Sequence, residues 1–293
     1  MQNILLTDAN GTPIIQGPGY EMLKLVPLFS GGFGALNPAI DVANLPSFSA
    51  ISATSGNFTF ASALPLEFAK GVGVLGMADG DFLPKLTINL NTTSAVYSTA
   101  PATTVPSLEC RLNCDFYWNP VGENIEPPSL GTTRQWFYQQ GNPTVASGGT
   151  TTVSAARAGG WLDTMIMVLR DSTGARIDAF PSVIRFSVDG INEVVTNLDE
   201  IYDDMAVAWG IGSGSPYPTR PTGVIAFSRK TSLGQAVMGL FDTGEVALST
   251  SPGTNLSLTG APWGTVSNSP ATLNFVFGQI IPAGAFVQGL PEV

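Results

Sequence analysis

Carboxylates are the main chemically capable side chains of this sequence, which contains 22 Asp and Glu residues but no histidine. Histidine is the commonest general base and metal ligand near neutral pH. Its absence excludes histidine-based catalytic triads, HExxH zinc sites and histidine-ligated iron. The chemistry left to consider is that of paired carboxylates and of oxygen-ligated cations.

Asp163, Asp171 and Asp178 are the candidates for a carboxylate pair that could hydrolyse a glycosidic bond. That reaction needs two acids roughly 5 to 10 Å apart, in a cleft lined with aromatic side chains. These three aspartates instead flank predicted strands and turns. Three arginines close by in the sequence can neutralise them: Arg170, Arg176 and Arg185. We therefore predict no catalytic residues, and no enzyme.

Two groups of acids could hold a cation. Asp79-Gly80-Asp81 offers carboxylate oxygens for calcium but lacks the further ligands of an EF-hand loop, so a simple turn is favoured. The second group could seat a cation or pair with arginine on a neighbouring molecule, although a solvated helix face is favoured; it comprises Asp199, Glu200, Asp203 and Asp204. The sequence predicts no metal site.

Gly71-x-Gly73-x-x-Gly76 has the spacing of a dinucleotide-binding fingerprint. No helix is predicted after it, so the glycines indicate a strand that packs closely against its neighbours. No cofactor is predicted.

Cys110 and Cys114 lie in a segment that reads as a strand. Four residues of extended chain span about 13 Å, which is too far for a disulfide between them. Both side chains would point to the same face, which predicts buried free thiols.

Aromatic side chains could form a platform for sugars, but in a two-sheet sandwich they more often fill the core. The residues concerned are Trp118, Trp136, Phe137, Tyr138, Trp161 and Trp263.

The elements that must position these side chains are predicted to be strands. Of the 293 residues, 44% are hydrophobic and only 12% are charged, and 33 Gly and 22 Pro are spread along the chain. This is typical of many strands separated by turns. The net charge of −10 argues against direct nucleic-acid binding. We expect no secretory signal, because the N-terminus lacks a basic region followed by an apolar one. We expect no transmembrane helix, because no uninterrupted apolar stretch of about 18 residues occurs.

The first half is predicted to begin with an irregular N-terminal arm over residues 1–50, in which Tyr20–Phe29 could form a strand or one to two helical turns. An apolar arm of this kind packs on its own core or on a neighbour. Strands are then predicted at Asn57–Ala61, Leu64–Phe68, Val72–Met77, Leu86–Leu90 and Leu108–Trp118. Asn119–Gly131 has no apolar period and is the candidate interdomain linker.

The second half contains the clearest patterns. Thr164–Arg170 is an apolar run that predicts a strand buried on both faces. Ile184, Phe186 and Val188 alternate with polar residues and end at a hairpin-type turn, Asp189-Gly190. The other predicted strands are Gln135–Gln139, Thr150–Ala155, Val224–Ser228, Gln235–Phe241, Glu245–Leu248, Leu256–Leu258 and Leu273–Phe277.

One helix is predicted over residues 197–209. Asn197 can cap its start, and Glu200 can complete a capping box. Gly210 can end the helix in the left-handed conformation. One face is apolar: Leu198, Ile201, Tyr202, Met205, Ala208 and Trp209.

The blocks Trp161–Asp171, Gly174–Pro181 and Phe186–Gly190, followed by this acidic helix, resemble a known family. It is that of the major capsid proteins of tailless icosahedral phages with an internal membrane, the double jelly-roll lineage that includes the adenovirus hexon. The resemblance is one of layout, clearest over residues 150–210.

The resemblance implies an all-β fold of two tandem eight-stranded jelly rolls, with the helix near 197–209 inserted between two strands of one of them. It implies a structural protein of the virion that trimerises into pseudo-hexagonal capsomers of an icosahedral shell. The implied partners are further copies of the chain and other capsid proteins such as vertex proteins, with an internal membrane left open.

We expect residues 1–50 to form the arm and the start of the first barrel, 51–125 the first jelly roll, and 126–293 the second jelly roll with a C-terminal arm. The alternative is a β-sandwich receptor- or carbohydrate-binding module, such as a spike.

Overall fold

A computed structural model of the chain describes a mainly β-structured protein, which confirms the predicted all-β class. The structure describes residues 2–30, 62, 64–66, 75, 83–92, 110–112, 114, 133–145, 151–155, 161–188, 191–211, 220–228, 248–249, 256–261 and 271–281. Its strands are β1 (Asn3–Thr7), β2 (Pro13–Pro18), β3 (Lys85–Asn89), β4 (Thr133–Val145), β5 (Thr151–Ala155), β6 (Trp161–Arg170), β7 (Val183–Val188), β8 (Ile191–Asn197), β9 (Val224–Ser228), β10 (Leu248–Ser249), β11 (Leu256–Ala261) and β12 (Ala271–Ile281). A π-helical turn (Glu21–Leu25) runs into α1 (Val26–Phe29), and α2 spans Leu198–Trp209.

The described strands form two sheets, one of eight strands and one of four. Apart from the two-residue strand β10, the second half of the chain contributes four antiparallel strands to the larger sheet, in the order β4-β12-β6-β9, and all four strands of the other, in the order β5-β11-β7-β8. Numbered along the chain without β10, these orders are 1-8-3-6 and 2-7-4-5. They are the two sheets of a jelly roll, in which successive strands alternate between sheets except where a hairpin joins two neighbours.

The centre of the first sheet is buried on both faces. Thr164 to Leu169 of β6 are all buried, as are Leu273 to Phe277 of β12 beside them. The continuous burial predicted for Thr164–Arg170 is therefore confirmed up to Leu169. Short β10 lies on the same edge of β6 as β9, through Leu248 opposite Leu162.

The β7–β8 hairpin follows the predicted turn, because Val188 is paired with Ile191 across the two residues between the strands. Strand β8, which the sequence pattern did not predict, continues directly into α2. The helix has the predicted capping box at Asn197 and Glu200, and Gly210 ends it at φ 66°. Ile201, Met205 and Trp209 are buried on the predicted apolar face.

The first part of the N-terminal segment belongs to the larger sheet, so the irregular structure predicted for residues 1–50 is wrong at β1 and β2. Strand β2 pairs in parallel with β4, through Ile15 opposite Trp136, and β1 joins β2 to β3. The helical alternative for Tyr20–Phe29 is confirmed. Buried Ile4, Ile15 and Met22 place this arm on the protein's own core.

Three predictions in the first half are corrected. Leu64 to Leu66 and Leu75 lie outside any strand, and so do Cys110 and Cys114, whose side chains are exposed rather than buried. Alternation alone does not make a strand, because strand formation also depends on pairing and packing in the fold: Cys110, Leu112 and Cys114 keep a period of two in the sequence, but no described strand pairs with them. The predicted strand at Leu86–Leu90 is confirmed as β3, except that Leu90 lies beyond its end and is exposed.

Other predictions lie outside the described residues. These are the strands at Asn57–Ala61 and Gln235–Phe241, the linker at Asn119–Gly131, and most of residues 51–125.

Candidate interaction surface

Three cations converge on one aromatic ring at the N-terminal segment. The guanidinium of Arg176 lies 4.4 Å from the centroid of the Tyr20 ring, that of Arg170 lies 5.7 Å away, and the Lys24 ammonium lies 5.8 Å away. Arg176 also donates a hydrogen bond to the Tyr20 hydroxyl. We call Tyr20, Lys24, Arg170 and Arg176 the cationic cluster. A quarter of the chain's 12 basic residues lie in it.

One carboxylate balances part of this charge. Glu21, which is 2% exposed, accepts a hydrogen bond from Arg170 at 2.8 Å. The segment that carries Tyr20, Glu21 and Lys24 is the π-helical turn and its N-cap. Burial, together with the Glu21 charge, raises the pKa of the neighbouring Tyr138 hydroxyl to about 12. Counted together with Glu21, the three cations of the cluster leave a local net charge of about +2.

Lys24 and Arg176 have no carboxylate within ion-pair distance among the described residues. Lys24 is half-buried, and its pKa is lowered first by burial and then by the positive charge of Arg176. When two like charges lie close together and are partly shielded from water, each disfavours the charged form of the other. Neither cation therefore has, among the described residues, the anionic partner that would offset its partial loss of hydration.

Next to the cluster, Asp178 forms a two-pronged ion pair with Arg220, with N–O distances of 2.9 and 3.1 Å. Asp178 also accepts a hydrogen bond from the Gly223 amide at 2.8 Å. Burial raises the pKa of Asp178, but these hydrogen bonds outweigh it and hold the pKa below its ordinary value. Arg220 in turn lies 4.2 Å above the ring of Tyr202 on α2. The ion pair therefore links the cationic cluster to the helix.

The outer face of α2 is acidic. Asp199, Asp203 and Asp204 are exposed and make no ion pair in the described part of the chain. Burial raises the pKa of Asp204, and the charges of Glu200 and Asp203 raise it further. This face was predicted from the sequence as a solvated helix face, and its exposure agrees with that prediction.

The aspartates considered for catalysis serve local structure. Asp171 accepts hydrogen bonds from the amides of Thr173 and Ala175 and so closes the predicted turn, where Gly174 has φ 85°. Asp178 is held by Arg220. The side chain of Asp163 lies outside the described residues, as does Asp79-Gly80-Asp81.

The aromatic residues that could have formed a sugar platform lie in the core where they are described. Trp136 is fully buried, and Phe137 stacks on Phe277 with ring centroids 5.1 Å apart. Tyr138 is half-buried. The side chains of Trp118, Trp161 and Trp263 lie outside the described residues.

Among the described residues, three large apolar side chains are exposed. Leu83 and Leu90 flank β3 and are 53% and 54% exposed, and Leu112 is 65% exposed.

Within the described ranges, no group of three or more Cys, Asp or Glu side chains is placed to hold a metal ion. The described helices include none with the length and apolarity needed to cross a bilayer.

Sequence reasoning did not predict the cationic cluster. Tyr20 and Arg176 are 156 residues apart, so no local spacing signals their contact. The only hint was an arginine pair, Arg170 and Arg176, on either side of the predicted turn.

The strand order defines the class of protein to which the second half belongs: a jelly-roll β protein with one helix between its fifth and sixth strands. No protein-family model matches the sequence, and no curated protein matches it.

Among solved structures, the chain is similar to the STIV major capsid protein. The two are 8% identical, the alignment covers 99% of this chain and 81% of that one, and the TM-score is 0.48. It is also similar to the major capsid protein from bacteriophage PM2, with 11% identity, 54% of this chain and 48% of that one covered, and a TM-score of 0.32.

Proposed function

We propose that this chain is a viral major capsid protein of the double jelly-roll type, and that three copies form a pseudo-hexagonal capsomer of an icosahedral shell. In this role the protein acts by assembly and has no catalytic residue. Its place is the capsid of the virion.

The observation that carries the proposal is the jelly roll with a capped helix between its fifth and sixth strands. Jelly rolls serve as capsid and lectin domains, among others. The inserted helix is the feature that the sequence resemblance to capsid proteins led us to expect, and α2 lies at that place between β8 and β9.

The composition supports the same proposal. Only 12% of residues are charged while 44% are hydrophobic. Large permanent interfaces are depleted of charge at their centres, and they need apolar surface beyond that of a single core.

We further propose the division of the chain into an arm and start of the first barrel over 1–50, a first jelly roll over 51–125, and a second over 126–293 with a C-terminal arm. The start of β4 at Thr133 supports the beginning of the second unit. Other copies, vertex proteins and an internal membrane are the proposed partners.

The test is to measure the mass of the purified protein by sedimentation and to image it by negative-stain electron microscopy. We expect a trimer that forms hexagonal arrays or closed shells at raised concentration. A stable monomer that forms no arrays, and that binds glycans on an array, would instead identify a carbohydrate-binding module.

A further inference from the structure

We propose that Lys24 and Arg176 form a docking site for the acidic face of α2 (Asp199, Asp203 and Asp204) of a second copy of this chain. This inference rests on the proposed assembly and names the charged contact that would hold two copies together.

The first argument is that Lys24 and Arg176 are partly buried without a carboxylate partner among the described residues. Lys24 is half-buried, contacts the Tyr20 ring, and has no carboxylate partner in the described part of the chain. Arg176 donates to the Tyr20 hydroxyl, which is neutral. A partly buried cation is stabilised when an anion replaces the water that it has lost.

The second argument is that nearby carboxylates are already engaged. Glu21 is bonded to Arg170. Asp178 attracts Arg176 from a distance, but both of its oxygens are bonded to Arg220. The described residues around the cluster therefore leave the charges of Lys24 and Arg176 without a direct partner.

The third argument is complementarity. The chain carries 22 acids against 12 bases, so a cationic patch is uncommon on its surface, and the acidic face of α2 is available on every copy. The α2 acids lie within one helical turn of one another and repel, which adds to the effect of burial in raising the pKa of Asp204. A contact between two copies would relieve unfavourable charge on both sides, and complementary patches favour one orientation over others.

The proposed contact would join two different patches of the chain. On one molecule, Asp178 lies two residues along the chain from Arg176 and is bonded to Arg220, which lies over the Tyr202 ring of α2. The cluster and the acidic face of α2 are nevertheless two different patches, so the contact is heterologous. Heterologous contacts close into rings when the rotation between copies allows it.

Charge reversal tests the proposal. We would compare the wild type with Lys24→Glu/Arg176→Glu, with Asp203→Lys/Asp204→Lys, and with a chain that carries all four changes. The matched control is Lys85→Glu/Arg185→Glu, which reverses two exposed cations elsewhere. Folding is checked by circular dichroism, and the dissociation constant of the assembly is measured by sedimentation.

Each double reversal should weaken assembly at least about tenfold at low salt, because like charges would then face each other. The control should change it little, and the fourfold variant should recover most of the loss. The defect of each double variant should shrink at about 1 M salt, where the screening length is about 3 Å.

Three results would overturn the inference while leaving the capsid proposal standing. They are double variants that assemble like the wild type, a fourfold variant that does not recover, and saturable binding of inorganic phosphate at the cluster with unchanged assembly. A wild type that stays monomeric under all conditions would overturn both proposals.

Discussion

Gly278 of β12 lies opposite Trp136 of β4, and the indole occupies the space where a larger side chain would stand. A Cβ atom at Gly278 would come within 2.8 Å of the Trp136 ring. Because Trp136 is fully buried in the core, its ring could move only by displacing neighbouring side chains. Overpacking of this kind typically costs about 1–3 kcal/mol.

We therefore expect Gly278→Ala to lower the free energy of unfolding by about 1–3 kcal/mol, measured by urea titration. Ser172→Ala, at an exposed turn position, is the control and should change stability by less than about 0.5 kcal/mol. Equal stability of Gly278→Ala and the wild type would show that the β4–β12 pair is packed less tightly than described.

A second prediction at this scale concerns Asp204, whose pKa is raised by burial and by Glu200 and Asp203. A raised pKa means that the charged form is disfavoured in the folded state, so the cost is present at neutral pH and disappears as the pH falls through the folded pKa. Asp204→Asn should stabilise the folded chain at pH 7 by about 0.2–0.5 kcal/mol, the usual size of a like-charge pair one turn apart.

Asp178→Asn is the comparison variant, because the pKa of Asp178 is shifted in the opposite direction to that of Asp204. The pKa of Asp178 is lowered, so its charge stabilises the folded state above the ordinary aspartate pKa, and this stabilisation is lost as the pH falls through the folded value. Urea titrations at several pH values should show the two variants shifting in opposite directions at pH 7. A shift of both in the same direction would contradict this account of the surface charges.

At the scale of elements, the start of α2 depends on Glu200. Its carboxylate accepts hydrogen bonds from the Asn197 amide at 3.0 Å and from the Thr196 hydroxyl at 2.7 Å. The Asn197 bond, and then the Thr196 bond, hold the pKa of Glu200 below its ordinary value. The charged form therefore stabilises the helix above a pH of about 4.3, and this effect is lost as the pH falls through the lowered pKa.

Glu200→Gln should be less stable than the wild type at neutral pH, and the difference should shrink as the pH falls below about 4. Unfolding followed by far-ultraviolet circular dichroism across this range measures the difference. Asp199→Asn removes a charge from the same helical turn without removing these hydrogen bonds. A pH dependence of Asp199→Asn equal to that of Glu200→Gln would assign the effect to charge alone.

The same elements show what local sequence can predict. The α2 boundaries follow from Asn197, Glu200 and Gly210, because capping and the left-handed end depend on residues close in sequence. The buried strand β6 follows from its apolar run in the same way. For these two elements, the structure favoured by residues close in sequence is the structure found in the fold.

Other features depend on long-range contacts. The parallel pairing of β2 with β4 joins Ile15 to Trp136, and neither segment contains a signal for the other. Arg176 reaches Tyr20 only because the β6–β7 connection lies over the N-terminal segment. Cys110 and Cys114 were expected to be buried from an alternation that the chain does not adopt there. The cationic cluster therefore could not be predicted from the sequence.

At the scale of the whole molecule, the N-terminal segment extends the large sheet of the jelly roll. Strand β2 covers the outer edge of β4, and Phe29 of α1 packs edge-on against Trp209 of α2, with ring centroids 5.1 Å apart. Ile15 is fully buried at the β2–β4 junction. These contacts connect the first 30 residues to both the sheet and the helix of the second half.

We expect this connection to make the N-terminal segment and the jelly roll one cooperative unit. Ile15→Ala removes buried methyl groups at the junction and should lower stability by about 2–5 kcal/mol. The loss should appear as a single shifted transition in urea, with tryptophan fluorescence and far-ultraviolet circular dichroism coinciding. Leu90→Ala, at the exposed end of β3, is the control, for which a change of less than about 0.5 kcal/mol is expected. Two separate transitions in Ile15→Ala would instead show that β1 and β2 unfold independently, and that the jelly roll is stable without the strand that covers its edge.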